Sequence, residues 1–326
     1  MTGASQNRPG VVTGRSGTWD SVRLISPDGC LEATFLPGLG MVGSSLRHQG
    51  EELLGQRNGP EAYAERKSTF GIPLLHPWAN RLGDWGYERE SQTVSLDPGS
   101  PVLKRDPDTG LPIHGALAAC PWWEIGETGT DQDRAWLEAR LDYGSYDELL
   151  AVFPFAHRLR FQAWLTDAEL SIRLTLVPTD PQSVPIAFGF HPYIALPGSR
   201  REEWEIALPV ASRATLDDRG IPTGAQEQLE PGQLSGPLAE RSFDDGFESL
   251  TGDPPVFAVA DGRRRVEVRY SEGYPVAQVY APRELELIAF EPMTAPVDAL
   301  RSGRGLRTVA PEEEFSAQFS IAVTQP

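Results

Sequence analysis

Apolar and polar residues alternate at every second position along much of this 326-residue chain. In residues 169–177 (ELSIRLTLV), leucine and isoleucine side chains fall on one face and mostly polar side chains on the other. Successive side chains of a β-strand point to opposite faces, so a period of two is typical of a strand with one buried face. The same pattern recurs in residues 135–141, 203–208, 265–270 and 314–323.

Turn-forming sequences separate these alternating segments. The chain contains 32 Gly and 29 Pro, an excess over ordinary globular proteins, and examples of such joints are residues 97–101 (DPGSP) and 217–224 (DDRGIPTG). Residues 145–153 are the best candidate for a short helix. The pattern predicts an all-β fold, a large antiparallel β-sandwich of two packed sheets. No linker divides it, so we expect one domain over residues 19–326, after a disordered tail over residues 1–18.

Composition excludes several classes of partner. The formal net charge is −17, whereas nucleic acids and anionic membranes bind clustered Lys and Arg. The one basic run, residues 262–268, alternates into a strand and is typical of a solvated edge. Cys30 and Cys120 are too few for a disulfide framework. Residues 1–17 lack the apolar stretch of a signal peptide or membrane anchor. We therefore expect a cytoplasmic protein with neither nucleic acid nor membrane as partner.

Two apolar runs end in a titratable residue followed by proline. Residues 185–193 (PIAFGFHPY) lead from a buried strand into His191, and residues 285–293 (LELIAFEPM) lead in the same way into Glu291. Proline restricts the residue before it to an extended conformation. Burying a carboxylate without a partner is costly, so a glutamate at position 291 calls for a structural or functional explanation. Ordinary structural roles remain open for both residues.

A third candidate is His114, in residues 110–116 (GLPIHGA), where the following glycine permits an unusual turn. His114, His191 and Glu291 lie far apart in sequence and form no local metal motif. Two histidines and a glutamate could still be brought together by the fold as a zinc site. The sequence therefore leaves two alternatives open, a zinc site and an ordinary structural role for each residue.

Residues 71–88 (GIPLLHPWANRLGDWGYE) offer hydrogen-bonding groups suited to sugar hydroxyls. Arg81 has a fixed fork of donors, and Asn80 is both a donor and an acceptor. Trp78 could supply an aromatic wall, although aromatic rings more often pack in a core. An ion pair is the structural alternative for Arg81.

Taken together, these stretches resemble the aldose 1-epimerase (galactose mutarotase) family, in the family's order and over roughly residues 20–323. The segments that carry the resemblance are residues 73–84 (PLLHPWANRLGD), 111–118 (LPIHGALA), 153–167 (FPFAHRLRFQAWLTD), 188–198 (FGFHPYIALPG), 243–247 (FDDGF) and 290–300 (FEPMTAPVDAL).

The resemblance implies a galactose mutarotase-like β-sandwich, of the supersandwich type, that interconverts the α and β anomers of an aldohexose without metal or organic cofactor. It implies that Glu291 is the base at the anomeric hydroxyl and His191 the acid at the ring oxygen. His114 would bind the same region and share the acid role. We expect a monomer or a homodimer.

The resemblance also implies that Asn80, Arg81 and Asp244 orient the sugar, although neighbouring Asp245 leaves the register of the aspartate open. His76 stands where the family usually has an aromatic ring, so it either lines the pocket or replaces that ring in packing. His157 is expected to be structural.

The substrate could be a free aldose or a sugar phosphate. A hexose 6-phosphate would need cations, and Arg57, Arg66 and Lys67 are candidates, whereas the overall acidity favours a neutral sugar. Two other functions stay open: a non-catalytic sugar-binding module, and a hydrolase that uses Asp244 and Glu291 as paired carboxylates.

Overall fold

The computed structural model describes residues 9–324, in which β-strands predominate. The strands of the first half are β1 (Gly10–Ser16), β2 (Trp19–Ile25), β3 (Leu31–Leu36), β4 (Val42–His48), β5 (Glu51–Glu52), β6 (Leu74–Leu75), β7 (Gly86–Arg89), β8 (Gln92–Ser95), β9 (Lys104–Arg105), β10 (Pro112–Ile113), β11 (Glu124–Thr130), β12 (Ala135–Asp142), β13 (His157–Leu165) and β14 (Glu169–Pro178). Those of the second half are β15 (Val184–Ile186), β16 (Gly189–Phe190), β17 (Tyr193–Ile194), β18 (Glu205–Ala207), β19 (Val210–Leu216), β20 (Pro222–Gln228), β21 (Gly236–Pro237), β22 (Phe243–Leu250), β23 (Val256–Ala260), β24 (Arg265–Glu272), β25 (Val276–Ala281), β26 (Ile288–Met293), β27 (Arg307–Val309) and β28 (Phe315–Thr324).

Helical structure is confined to short segments. The α-helices are α1 (Gly59–Arg66), α2 (Asp147–Leu150) and α3 (Ala299–Ser302), and the 3-10 turns are Pro37–Leu39, Tyr143–Ser145 and Arg201–Glu203. Helix α2 lies inside the segment 145–153 where the sequence predicts a short helix, which confirms that prediction. None of the helices within residues 9–324 is long and apolar enough to cross a membrane.

Three large sheets organise the chain. Their strand orders are β1-β2-β3-β4-β5, then β11-β12-β13-β14-β28-β24-β23-β18-β21, and then β20-β19-β22-β25-β26-β16-β6 with β17 also paired to β26. The neighbouring strands in these sheets run antiparallel, for example β13 with β14 and β25 with β26. The all-β antiparallel architecture expected from the alternation is therefore confirmed, although residues 9–324 form three large sheets where two were expected.

Aromatic side chains join the three sheets in one core. Phe161 of β13 lies in edge contact with Phe35 of β3, with ring centroids 5.6 Å apart, and its ring is 6.3 Å from that of Phe190 in β16. Phe190 is in turn 5.1 Å from Phe319 of β28. All four rings are buried. A single cluster of buried apolar residues extends through the sheets from Val22 to Val323.

The N-terminal segment departs from expectation. Residues 10–16 were expected to belong to a disordered tail, and this is wrong, because they form β1 and pair with β2 over its whole length. The strand is largely exposed and polar, so backbone hydrogen bonds rather than an apolar face hold it in the sheet. Residues 1–8 of the expected tail lie outside the described residues.

A buried pair of histidines links two of the sheets. His76 follows β6 and His157 begins β13, and their Nε2 atoms are 2.9 Å apart. Nδ1 of His157 lies 2.6 Å from the carbonyl oxygen of Phe155. A carbonyl oxygen only accepts, so Nδ1 of His157 donates; a neutral His157 then accepts at Nε2 the hydrogen bond that His76 donates.

Burial keeps both rings neutral. Burial lowers the pKa of His157 to about 4, and burial together with the charge that His157 would carry lowers the pKa of His76 well below its usual value. An unfolded histidine titrates near pH 6.5. Between these values the unfolded chain binds protons that the folded chain does not, so the free energy of unfolding falls as the pH drops below about 6.5.

We therefore predict that His76→Phe makes the stability less sensitive to acid. Phenylalanine keeps the ring packing but cannot take up the proton that His76 binds on unfolding. The slope of unfolding free energy against pH between pH 4.5 and 6 should therefore decrease by about 1.4 kcal/mol per pH unit. Urea denaturation at several pH values measures this slope. His48→Gln is the control, because His48 is only half-buried and should change the slope less. An unchanged slope in His76→Phe would contradict the prediction.

Candidate active site

A cavity of about 210 Å³ opens at the eight-stranded sheet. Its lining comes from that sheet and from the chain segments after β5, β6, β9 and β10. The residues that line it are Arg57, Thr69, Asn80, Arg81, Lys104, Asp106, Pro107, Asp108, Ile113, His114, His191, Tyr193, Asp244, Tyr280 and Glu291.

The register of the sheet sets His191 opposite Glu291. Gly189 pairs with Met293 and Tyr193 pairs with Ala289 on the same strand, β26. Residue 191 therefore falls across from residue 291 in the antiparallel register. Nε2 of His191 lies 3.1 Å from Oε1 of Glu291. The two apolar runs that end in a titratable residue are thus neighbours in one sheet.

Both members of this pair are withdrawn from water, with 4% of His191 and 1% of Glu291 exposed. Burial, and then the negative charge of Asp244, raises the pKa of Glu291 well above its usual value, while Arg81 lowers it. Burial, and then the positive charges of Arg57 and Lys104, lowers the pKa of His191. Each group alone disfavours its charged form, so the pair favours sharing one proton.

His114 joins the pair from a strained turn. It has a φ of 65°, and its backbone N–H donates to the carbonyl of Asn80 at 2.9 Å. Its ring meets that of His191 edge-on, with centroids 5.7 Å apart. The next residue, Gly115, must be a glycine, because its φ is 69° and a Cβ there would lie 2.2 Å from the carbonyl oxygen of His76. His114 therefore depends on close backbone packing.

Arg81 holds a polar network that also lines the cavity. Its Nε donates to Oδ2 of Asp106 at 2.7 Å, and its Nη1 lies 3.7 Å from Oδ2 of Asp244. Asn80, with a φ of 57°, accepts the backbone N–H of Arg81 at its side-chain oxygen. Gln278 donates to Oδ1 of Asp244 at 2.7 Å. These contacts fix the donors and acceptors that face the cavity.

The two adjacent aspartates of β22 have different surroundings. Asp244 lines the cavity, whereas Asp245 lies 3.5 Å from Nη1 of Arg213 and is not part of the lining. Neighbouring residues of a strand point to opposite faces. Of the two aspartates that the sequence left open, Asp244 is therefore the one that faces the cavity.

A sequence model of the aldose 1-epimerase family matches residues 42–322. The chain belongs to the aldose 1-epimerase family. The matched range includes every residue that lines the cavity. A search of curated protein sequences gives no match.

Solved structures show the same fold. A galactose mutarotase-like protein from Clostridium acetobutylicum is 18% identical, with a TM-score of 0.86 over 98% of this chain and 99% of that one. A galactose 1-epimerase from Lactobacillus acidophilus is 17% identical, with a TM-score of 0.74 over 98% and 99%. An aldose epimerase homologue from C. elegans is 17% identical, with a TM-score of 0.72 over 97% and 99%. The chain therefore has the galactose mutarotase-like fold.

Two of the expected substrate-binding residues lie away from the cavity of this aldose epimerase family member. His76 and Trp78 are each 1% exposed and are absent from the cavity lining. His76 is enclosed by Tyr143, Phe153 and Phe188 and bonds to His157. His76 thus has the surroundings of a packing ring. Both side chains belong to the buried core and not to the cavity wall.

Several cavity residues carry no strong signal in the sequence. Tyr193 stacks on His191, with ring centroids 4.1 Å apart. Its hydroxyl accepts from Nη1 of Arg57 at 2.9 Å and lies 2.7 Å from Oγ1 of Thr69. Tyr193 is two residues after His191, so the alternation of a strand predicts that both side chains lie on the same face, and this pattern could have identified Tyr193. Lys104 has no such pattern, because only folding brings it close to the other cavity residues.

The zinc alternative rests on His114, His191 and Glu291. Within residues 9–324, no group of three or more His, Cys, Asp or Glu side chains is arranged to hold a metal ion.

We predict that the Arg81–Asp106 contact stabilises this family member as well as shaping its cavity. Burial opposes the charge of Asp106, yet hydrogen bonds from Thr109 and Arg81 lower the pKa of its carboxyl. Arg81→Ala leaves that carboxylate, whose side chain is 6% exposed, without its charged partner. The free energy of unfolding in urea should fall by about 2–3 kcal/mol.

Two further variants test this reading of Arg81. The double variant Arg81→Ala/Asp106→Asn should lose less free energy of unfolding than the two single variants lose together, because the two residues are coupled. Arg158→Ala is the matched control, since its ion pair with Asp142 lies at the surface and its loss should change stability by less than about 1 kcal/mol. A cost for Arg81→Ala no greater than for Arg158→Ala would contradict the prediction.

Proposed function

We propose that this chain is an aldose 1-epimerase, an isomerase that interconverts the α and β anomers of a hexose by acid and base catalysis. The observation that carries the proposal is the buried contact of 3.1 Å between Nε2 of His191 and Oε1 of Glu291. It puts a base and an acid side by side in a cavity lined by hydrogen-bonding groups. Family membership supports the same reaction class.

Ring opening moves one proton in and one proton out. Glu291, as the carboxylate, takes the proton of the anomeric hydroxyl, and the electrons of that O–H bond form the aldehyde. The bond between C1 and the ring oxygen breaks, and the ring oxygen takes a proton from the protonated His191. Rotation about the C1–C2 bond and the reverse steps then give the other anomer.

The His191–Glu291 pair can do this without exchanging protons with water. Protonated His191 with ionised Glu291 holds the same number of protons as neutral His191 with protonated Glu291. Ring opening converts the first form into the second, and ring closure restores the first. Burial raises the pKa of Glu291 and lowers that of His191, so it shifts the balance of the pair towards the second form, which ring opening produces.

The remaining residues orient the sugar. Asn80, Arg81 and Asp244 present fixed donors and acceptors, and Asp106 holds Arg81 in place. His114 lies against His191 and binds the same region of the ring. Holding the sugar in a reactive orientation is a large part of what an enzyme adds to a reaction that is already feasible in water.

Glu291→Gln and His191→Asn test the assignment. Each keeps polarity and removes a proton acceptor or donor, so each should lower the rate of anomer exchange at saturating sugar by at least about 100-fold. The measurement is NMR exchange or polarimetry with glucose and galactose. The double variant should be little slower than the poorer single variant, because the two groups act as a unit.

Sugar binding separates catalysis from folding in this experiment. Glu291→Gln should still bind sugar, since Asn80, Arg81 and Asp244 remain. Near-normal exchange in both single variants would refute the catalytic assignment. Absence of exchange in the unmodified protein, with sugar binding intact, would favour the non-catalytic binding module, and release of a product from a glycoside would favour the hydrolase with Asp244 and Glu291.

A metal-removal experiment tests the zinc alternative. Because the proton transfers described above use only side chains, anomer exchange should be unchanged after prolonged EDTA treatment and gel filtration. Metal analysis of the active preparation accompanies the assay. Stoichiometric zinc, with a rate that falls on chelation and returns on adding zinc, would replace the acid and base mechanism with a metal-assisted one.

A further inference from the structure

Two cations in the cavity have no carboxylate partner. Arg57 and Lys104 both line it, yet neither lies within ion-pairing distance of a carboxylate in the part of the chain that the structure describes. Arg81, by contrast, contacts Asp106 and Asp244. Arg57 is exposed and Lys104 is half-buried. Burial, followed by the charge of Arg57, lowers the pKa of Lys104 to about 8. A half-buried cation such as Lys104 is costly without a counter-charge.

These cations lie on the histidine side of the cavity. Arg57 donates to the hydroxyl of Tyr193, whose ring stacks on His191. Lys104 pairs across β9 and β10 with Ile113, the residue before His114. The carboxylates of Asp106 and Asp244 gather instead around Arg81, and Asp108 is exposed. The cavity therefore has a positive region next to the proposed acid.

The chemistry of the sugar says which atoms come near that region. In a hexopyranose, the ring oxygen is bonded to C1 and C5, and C5 carries the exocyclic carbon C6. A histidine that protonates the ring oxygen therefore faces the part of the sugar that bears C6. We propose that the preferred substrate is an aldose with an anionic group at C6, a phosphate or a carboxylate, held by Arg57 and Lys104. This inference rests on the proposed function.

An anion there would also assist the chemistry. In the empty cavity, burial and then the positive charges of Arg57 and Lys104 lower the pKa of His191, and so oppose the protonated form that ring opening uses. A bound anion neutralises these charges and raises the pKa of His191 again. The preference for an anionic sugar should therefore appear in kcat as well as in KM, because protonated His191 is needed in the transition state.

The overall charge favours a neutral sugar. A net charge of −17 repels anions, but at ordinary ionic strength salt largely screens exposed charges that lie more than about 10 Å away. Close to the histidines, Arg57 and Lys104 determine the local field. Of the cations that the sequence offered for a phosphate, Arg57 lines the cavity, and Arg66 and Lys67 do not.

Anomer exchange with three sugars tests the inference. NMR exchange rates with glucose, glucose 6-phosphate and glucuronate, at fixed ionic strength, give kcat and KM for each. We expect at least one anionic sugar to exceed glucose by about tenfold or more in kcat/KM, with part of the gain in kcat. Comparing glucose 6-phosphate with glucuronate shows whether the anion is a phosphate or a carboxylate.

Single variants connect the preference to the two cations. Arg57→Gln and Lys104→Gln should each lower the ratio of kcat/KM for the preferred anionic sugar to that for glucose by at least about tenfold. Arg66→Gln is the matched control, because Arg66 is exposed and lies outside the cavity lining; its ratio should equal that of the unmodified protein. Inorganic phosphate or acetate, as competitive inhibitors, should bind more weakly to both cavity variants. Circular dichroism checks that each variant is folded.

The outcomes separate this inference from the proposed function. If glucose is turned over as efficiently as both anionic sugars, or if the cavity variants keep the ratio, the anionic substrate is refuted while the epimerase function stands. If none of the three sugars undergoes catalysed exchange, the proposed function itself fails. If a variant is unfolded, inhibition of the unmodified protein by the free anions decides, and no competition by either anion counts against the inference.

Discussion

The antiparallel register between β26 and the chain around β16 and β17 is the constraint on which the site depends. It sets His191, which lies between the short strands β16 and β17, across from Glu291 of β26. A slip of one residue would turn every side chain of a strand to its other face and separate the two groups. Phe190, directly before His191, packs into the aromatic core through Phe161 and Phe319. Core packing therefore fixes the distance between the proposed acid and base.

That placement has an energetic cost, which the surroundings only partly offset. Oε2 of Glu291 and Nδ1 of His191 are buried and have no hydrogen-bond partner within residues 9–324. Buried polar groups are usually paired, and an unpaired one costs roughly 1–3 kcal/mol. In the His76–His157 pair, both Nε2 atoms and Nδ1 of His157 have partners, whereas Nδ1 of His76 has none within the described residues. Buried polar atoms without a partner therefore occur in the core as well as in the cavity. Those of His191 and Glu291 differ in that they belong to side chains that a sugar in the cavity would meet.

Local patterns in the sequence predict the all-β architecture, because a period of two reports burial on one face. They also single out His191, Glu291, His114, Asn80 and Arg81 as candidates, and the fold brings these to one cavity. What they do not predict arises from contacts between distant segments. Strand β1 is nearly all exposed and owes its place to backbone pairing with β2. Lys104 has no signal of its own, since its charge matters only beside histidines that other loops supply.

The division of labour in the cavity follows from how little the reaction requires. Anomer exchange needs one proton transferred at each of two oxygens, so two side chains on adjacent strands can supply the chemistry. Selectivity must then come from groups that meet the rest of the sugar. In the proposed site those groups are carried by separate segments, with Arg57 after β5, Asn80 and Arg81 after β6, Lys104 in β9 and Asp244 in β22. Arg57 and Lys104 lie outside the sheet that contains β26, so a change of charge at these two positions leaves the strand pairing that sets His191 across from Glu291 in place.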